Sequence, residues 1–353
     1  MTGRRRLVLA FPGALTTRTG GYVYDRRLAV ALEARGWAVR RLSLPAGFPF
    51  PSGQELAASA AALAALPDGA SVLVDGLAFG AMPEIAARES GRLDLVALVH
   101  HPLCLETGLA PAQAAALAAS ERRALAHARS VVVTSPRTAT ALEELFAVPP
   151  RRIRVALPGT DPAPAARGSG GPGCRMVCVA TVTPRKGHVL LVEALAGLAD
   201  LDWELLCAGS MRRDPATAQT LAAAVATHGL EGRVHLLGEI DEAAVGALYD
   251  RADLCVSASL HEGYGMALAE ALARGLPIVA AAGGAVADTV PAEAGLLVPP
   301  GDVPALRAAL RRFLDEPGLA ARLRIGALAA RTRLPRWSDT AAAVEAALLD
   351  GRA

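Results

Sequence analysis

The chain has 353 residues, too many for one small module and enough for two domains that each bury a substantial core. Its 36 basic and 34 acidic residues leave a net charge of +2, which removes any general electrostatic case for nucleic acid as a partner. Hydrophobic residues make up 52% of it, much of this alanine, yet no apolar run reaches the ~20 residues that a membrane-spanning helix needs.

The basic start from Met1 to Arg6 runs into an apolar stretch that stops at Pro12, too short for a signal-peptide core, so the expectation is a cytoplasmic protein. That stretch, 7–11, is the first predicted strand. A loop rich in glycine and threonine follows, carrying Gly20 and Gly21, and then an amphipathic helical pattern over 22–35 that Gly36 closes. The glycine pair would let a substrate approach the backbone at a helix N-terminus, and a plain turn accounts for it equally well. No Gly-x-Gly-x-x-Gly dinucleotide fingerprint occurs there. Strand-like runs recur at 39–44, 71–75, 95–100, 130–135 and 153–157, with helical stretches at 56–66, 112–127 and 138–146.

Strands that are apolar throughout and alternate with helices imply a parallel sheet covered on both faces, whose ligands bind at the C-terminal ends of the strands. His100 and His101 lie at one such end. Neighbours on an extended chain point to opposite faces, which makes this pair a poor metal clip. One ring facing a ligand and a purely structural pair are both open readings.

The clearest shift in composition spans 161–173, and it places a Gly/Pro-rich linker at 166–173, between a domain of 1–165 and a second of 174–337. A second alternating series then begins, with strands predicted at 175–181, 203–208, 234–237, 254–259, 277–282 and 295–298 and helices at 306–314 and 320–330. Pro335 breaks the chain before a last helical run, 340–349. The fold class is therefore α/β, two Rossmann-like αβα domains with a cleft between them as the default ligand site. The five cysteines, Cys104, Cys174, Cys178, Cys207 and Cys255, are odd in number and sit among apolar neighbours, as buried reduced thiols do.

Chemistry concentrates in the second domain. Its first strand ends in Thr181, Val182, Thr183, Pro184, Arg185 and Lys186, two hydroxyls and two adjacent cations that suit a phosphate group; solvated surface charge is the plainer reading. Gly209 and, further on, Gly238 with Glu239 end the next strands, so several small or polar turns converge on one edge, which favours a bound nucleotide. The run over 257–271 turns an apolar strand through Glu262, Gly263, Tyr264 and Gly265 into a helix that starts near Met266 and Ala267 and carries Glu270. The positive end of that helix opens onto the turn, a ready site for an anion, although an ordinary strand-to-helix connection has the same shape.

Glu262 and Glu270 have seven residues between them, and with Gly275-Leu276-Pro277, Gly283-Gly284 and the Gly-Leu-Leu-Val-Pro-Pro-Gly-Asp run from Gly295 the chain resembles the retaining GT-B glycosyltransferases of family 4, the glycosyl transferases group 1. The similarity extends over nearly the whole length. It implies a GT-B fold, with an N-terminal acceptor-binding domain, a C-terminal nucleotide-sugar domain and a last helix, about 338–353, that returns to the first domain. It implies a retaining transfer of a hexose from a UDP- or GDP-sugar to a hydroxyl acceptor, whether a glycan, a lipid-linked molecule or a small molecule. No tightly bound cofactor and no metal are implied. By the same resemblance Glu270 holds the ribose hydroxyls, Glu262 and the 263–267 backbone hold the transferred sugar and its phosphate, and Lys186 neutralises the diphosphate. Gly20 and Gly21 match the family's glycine loop, and its cleft histidine falls on His100 or His101. One position departs: the arginine usual five residues before the lysine is Thr181 here, which leaves Arg185 as its substitute. Rival readings are a sugar-nucleotide epimerase, a phosphorylase, or a catalytically idle nucleotide-sugar binder. Aromatics in Phe48-Pro49-Phe50-Pro51 and the basic Arg4 to Arg6 admit a peripheral contact at the inner face of a membrane; solvated charge and a stiff loop explain the same residues.

Overall fold

The structure, a computed structural model, describes residues 4–350, so positions 1–3 of the basic start and 351–353 of the last segment lie outside the described residues. The chain divides into two compact units, one made of 1–159 with 335–353 and the other of 160–334.

Unit 1 is a parallel six-stranded sheet in the order β2-β1-β3-β4-β5-β6, with β1 Arg6–Pro12, β2 Ala38–Leu44, β3 Ser71–Asp75, β4 Asp94–Val99, β5 Ser130–Val133 and β6 Ile153–Val155. Unit 2 repeats the plan as β12-β11-β10-β7-β8-β9, with β7 Cys174–Val179, β8 Trp203–Ala208, β9 Val234–Gly238, β10 Leu254–Ser257, β11 Ile278–Ala281 and β12 Gly295–Val298. Side chains on β7 alternate between the two sheet faces: Met176 and Cys178 join one buried cluster and Val177 the other. That is the period of two expected for a strand covered on both sides.

The strand order fixes where ligands can go. In unit 1 the chain leaves β1 toward β2 and then crosses to β3 on the other side; in unit 2 it leaves β7 toward β8 and later crosses to β10. The connections at these switch points diverge and open a crevice at the strand ends, the usual ligand position in an open α/β sheet.

Three expectations change in the folded chain. The segment read as a linker, 166–173, is packed onto unit 2: Ala166 is buried, Arg167 pairs with Asp250, and the Asp253 carboxylate accepts from the N–H groups of Ser169 and Arg175 at 3.0 and 2.8 Å. A Cβ on Gly168 would lie 2.7 Å from Asp253 Oδ1, so glycine lets the segment approach a carboxylate whose bonds composition does not reveal. The unit boundary falls at Gly159, where a Cβ would lie 2.3 Å from the Trp337 nitrogen. Of the aromatics at 48 and 50, Phe48 is buried in the unit 1 core and Phe50 alone is exposed. The last helix, Trp337–Leu349, belongs to unit 1, where Glu345 pairs with Arg5 and Arg35 and Thr340 donates to the Leu157 carbonyl at 2.7 Å. All five cysteines are free thiols, with Cys178, Cys207 and Cys255 buried and Cys104 and Cys174 half-buried. No helix among the described residues is long and apolar enough to cross a membrane.

One buried acid sets a pH dependence. Glu121 lies on the buried stripe of the Pro111–Ala126 helix, where one carboxylate oxygen accepts the Leu103 N–H at 2.8 Å and the other has no partner. Burial pushes its pKa from 4.5 up to about 8 against the pull of that bond. Between those values the unfolded chain releases the proton and the folded one keeps it, so stability should fall as pH rises from about 4.5 to about 8. The full effect is on the order of 5 kcal/mol. Thermal melts of Glu121→Gln should be flatter across that window than those of the wild type; parallel curves would show that the acid is ionised in the fold.

Candidate functional site

In unit 2 the two turns at the switch point come together. The turn after β7 becomes a short 3-10 segment, Pro184–Lys186, then Gly187 in a left-handed conformation (φ 64°), then the helix His188–Ala196. A Cβ on Gly187 would stand 2.1 Å from the Ala258 carbonyl oxygen, so only glycine lets this turn lie against the one after β10. The contact is stitched by the Leu260 N–H donating to the Arg185 carbonyl at 2.7 Å and by Arg185 Nη1 donating to the His261 carbonyl at 2.6 Å.

The charges meet at Glu262. Lys186 Nζ donates to its Oε1 at 2.6 Å and Arg185 Nη1 stands 3.7 Å from its Oε2. Burial by itself would raise the Glu262 pKa, but the charges of Lys186 and Arg185, with hydrogen bonds from Lys186 and Ser259, outweigh it and hold the carboxyl below its ordinary value. Two cations and one carboxylate leave a formal charge of +1, a surplus suited to an anion. The Glu262 backbone is fixed from β11's side: its N–H donates to the Gly283 carbonyl at 3.2 Å and its carbonyl accepts the Ala285 N–H at 2.9 Å. Gly284 has φ +63°, and a Cβ there would meet the Glu262 oxygen at 2.2 Å, which is why a glycine pair stands at this point.

The remaining predicted residues of unit 2 line the same sheet edge. Gly265 (φ 95°) starts the helix Met266–Ala273, with Gly263 and the buried Tyr264 in the turn before it. Thr289 Oγ1 donates to the Tyr264 carbonyl at 2.5 Å and the buried Tyr249 hydroxyl to the Ala267 carbonyl at 2.9 Å, so the turn and helix start are held from behind. Glu270 is half-buried on the second turn of that helix. Thr181 precedes Val182, whose N–H reaches the Ser210 carbonyl at 2.9 Å, and the Gly209 N–H reaches the Gly238 carbonyl at 2.9 Å; these contacts align the ends of β7, β8 and β9. Glu239, just beyond β9, is exposed. A pocket of about 340 Å³ borders the basic turn, lined by Thr183, Gly187 and His188 with Thr217 and Thr220 of the next helix.

In unit 1 the histidine pair separates. His101 turns to Glu106, 3.3 Å away. His100, one residue past β4, turns its Nε2 to Asp25 Oδ1 at 3.4 Å and to Asp75 Oδ2 at 3.5 Å. Gly20 begins the Gly20–Ala34 helix, and a Cβ on Gly21 would lie 3.2 Å from the His100 ring, so Gly21 makes room for the imidazole. Burial and the neighbouring Asp75 charge push the Asp25 pKa up despite His100. Burial would lower that of His100, but the two carboxylates beside it raise it.

Asp25 and Asp75 are functional candidates that sequence reasoning passed over. Asp25 stands on the stripe of the helix shared by Tyr24, Leu28, Ala29 and Leu32. An acid at an apolar-stripe position was a signal available in the sequence. Asp75 ends an otherwise apolar strand, and only the pairing of β3 with β4 brings it beside His100.

Comparison with known proteins places this geometry. Residues 169–329 match the family described as Glycosyl transferases group 1. This part of unit 2 is similar to the glycosyl transferases group 1 family. The matched residues include Arg185, Lys186, Glu262 and Glu270. Over 263 residues the chain is 28% identical to the MMP alpha-(1->4)-mannosyltransferase of Mycolicibacterium hassiacum, covering 70% of this chain and 63% of that protein. It is 32% identical over 227 residues to the 2-deoxystreptamine glucosyltransferase of Streptomyces kanamyceticus, 59% of this chain and 57% of the relative. The chain thus spans roughly three-fifths of the length of these curated relatives. Among solved structures, the sucrose-phosphate synthase of Thermosynechococcus elongatus superposes with a TM-score of 0.83 at 24% identity, over 97% of this chain and 98% of that one. Anabaena HepE in complex with UDP and glucose gives 0.73 at 17% identity, over 97% and 99%. The fold of the chain is GT-B.

Proposed function

We propose that the chain is a glycosyltransferase that moves a hexose from a UDP- or GDP-sugar to a hydroxyl acceptor with retention of anomeric configuration. The observation that carries the reading is the Arg185–Lys186–Glu262 cluster at the unit 2 switch point, inside the stretch that matches the group 1 family. The names of the relatives support a hexose, since they transfer mannosyl and glucosyl groups, and the HepE complex supports a uridine nucleotide as one donor carrier.

The chemical demand is to let a diphosphate leave the anomeric carbon, which needs positive charge where the leaving oxygens gain negative charge. Lys186 and Arg185 supply it, and the N-terminal amides of the Met266–Ala273 helix add the positive end of a dipole. Glu262 holds both cations in place and, with the 263–267 backbone, faces the sugar. Arg185 takes the part that Thr181 cannot, because its guanidinium already reaches the Glu262 turn. In same-face attack the leaving phosphate oxygen accepts the acceptor's proton, so Glu262 need not act as a base. On unit 1, His100 rather than His101 converges with buried carboxylates at a switch point, which makes it the better match to the family's histidine; no step of the transfer is assigned to it.

The test is a screen of UDP- and GDP-hexoses by thermal shift, followed by acceptor pools with the best donor and NMR of the product's anomeric proton. Transfer with retention is the expected result. Donor epimerisation, phosphorolysis only, or binding without turnover would each replace the proposal. Glu270→Ala is expected to weaken nucleotide-sugar binding about tenfold or more by calorimetry, the scale of losing charge-assisted bonds to ribose hydroxyls. Unchanged affinity would remove Glu270 from the nucleotide.

A further inference from the structure

We propose that Asp25, Asp75 and His100 form a binding site for one divalent transition-metal ion, with zinc as the first probe. The three come from separate elements, the helix after β1, the last residue of β3 and the first residue past β4, and the topology brings them to the switch point of unit 1. One ligand atom from each lies within 4.8 Å of the others.

The spacing suits a shared ion better than direct hydrogen bonds. A charge-assisted N–H···O contact would be about 2.8 Å, whereas the imidazole Nε2 stands 3.4 and 3.5 Å from its two carboxylate oxygens. Ligands about 2.1 Å from a tetrahedral ion lie about 3.4 Å from each other. The polar atoms are also unspent. Asp25 is fully buried, and neither of its oxygens nor His100 Nε2 has a hydrogen-bond partner. A buried carboxylate without partners is expensive, and a cation among the three would meet all of these atoms at once.

The surroundings orient the donors. Asp75 spends its Oδ1 on the Leu77 N–H at 2.7 Å, which leaves Oδ2 turned to the histidine, and Thr134 Oγ1 donates to the His100 carbonyl at 3.1 Å. This is outer-shell support of the kind metal ligands carry. Two ionised carboxylates and a neutral imidazole sum to −2, matching a divalent ion, and one nitrogen with two carboxylate oxygens selects zinc or manganese over a thiolate-seeking metal. The His100 side chain is 21% exposed, so a fourth position can open to water or to a substrate hydroxyl. The adjacent pair His100–His101 is no metal clip; the partners of His100 are carboxylates distant in sequence. The transfer chemistry proposed for unit 2 does not run through this ion.

The full chain, stripped with EDTA and dialysed, would be titrated with zinc chloride and with manganese chloride by calorimetry, with bound metal counted by mass spectrometry. One ion per chain with a Kd below about 10 μM is expected, weakened about 100-fold or more in Asp25→Asn and in Asp75→Asn. His235→Gln removes an exposed histidine beside Glu204 on unit 2 and should bind as the wild type does. The zinc-edge absorption spectrum of the loaded wild type should show nitrogen and oxygen neighbours only, which decides the matter even if the aspartate variants fail to fold. No stoichiometric binding of either metal, sulfur in the zinc shell, or binding lost with His235 and kept without Asp25 would overturn the site.

Discussion

Lys186→Ala is expected to lower the turnover of sugar transfer by about two powers of ten or more, the scale of losing one preorganised electrostatic stabiliser. Lys186 Nζ lies 2.6 Å from Glu262 Oε1, while Arg185 stands 3.7 Å from the other oxygen, so the substitution removes the closer of the two cations. The formal charge of the cluster falls from +1 to zero, and the remaining carboxylate then faces an anionic leaving group with one counter-charge instead of two. Turnover should fall more than donor affinity, because the diphosphate gains charge in the transition state beyond what it carries when bound. Rates at saturating donor, with a thermal melt to confirm folding, would measure this. Near-normal turnover would take Lys186 out of the mechanism and leave Arg185 as the principal charge. Lys186→Arg restores the charge and should recover part of the loss.

Gly187→Ala is the second large effect, and it acts through the fold. Alanine at φ +64° carries the left-handed penalty of about 1 kcal/mol. Its Cβ would also stand 2.1 Å from the Ala258 carbonyl oxygen, a backbone atom that cannot move without moving the Glu262 turn. The combined destabilisation should reach about 3 kcal/mol or more, and for a unit of this size it lowers Tm by about 9 °C. Gly36→Ala is the control: its φ is +91° with nothing within 4 Å of the added Cβ, so the backbone penalty alone applies. Equal losses at the two positions would show that the turns after β7 and β10 part without cost. With unequal losses, Gly187→Ala should also impair donor binding, since the Arg185 and Glu262 turns are held together at that point.

Much of this was legible in the residues. Strands that are apolar throughout and helices with one apolar stripe are local patterns, and the strand cores appear where the pattern puts them, Ser71–Asp75, Trp203–Ala208 and Gly295–Val298 with the bounds expected. The ends were less legible. Predicted strands at 95–100 and 254–259 overran into His100 and Ser259, because an apolar run continues in sequence after the ladder of hydrogen bonds has stopped. The linker reading of 166–173 failed for a related reason: glycine and proline mark an irregular backbone, and an irregular backbone can still be fastened by a single buried-edge carboxylate such as Asp253.

The sequence by itself determined the α/β class, the doubled architecture, and the basic turn with its two spaced glutamates, since each rests on residues that are close in the chain. Tertiary structure alone decided which of those residues meet. Lys186 and Glu262 are 76 residues apart and become an ion pair only because β7 and β10 are neighbours at a switch point. Separating His100 from His101, and bringing it to Asp25 and Asp75, likewise required three elements from different parts of the chain to end at one place. Local patterns follow from the periodicity of helix and strand, whereas a convergence of side chains follows from strand order, which the periodicity leaves undetermined.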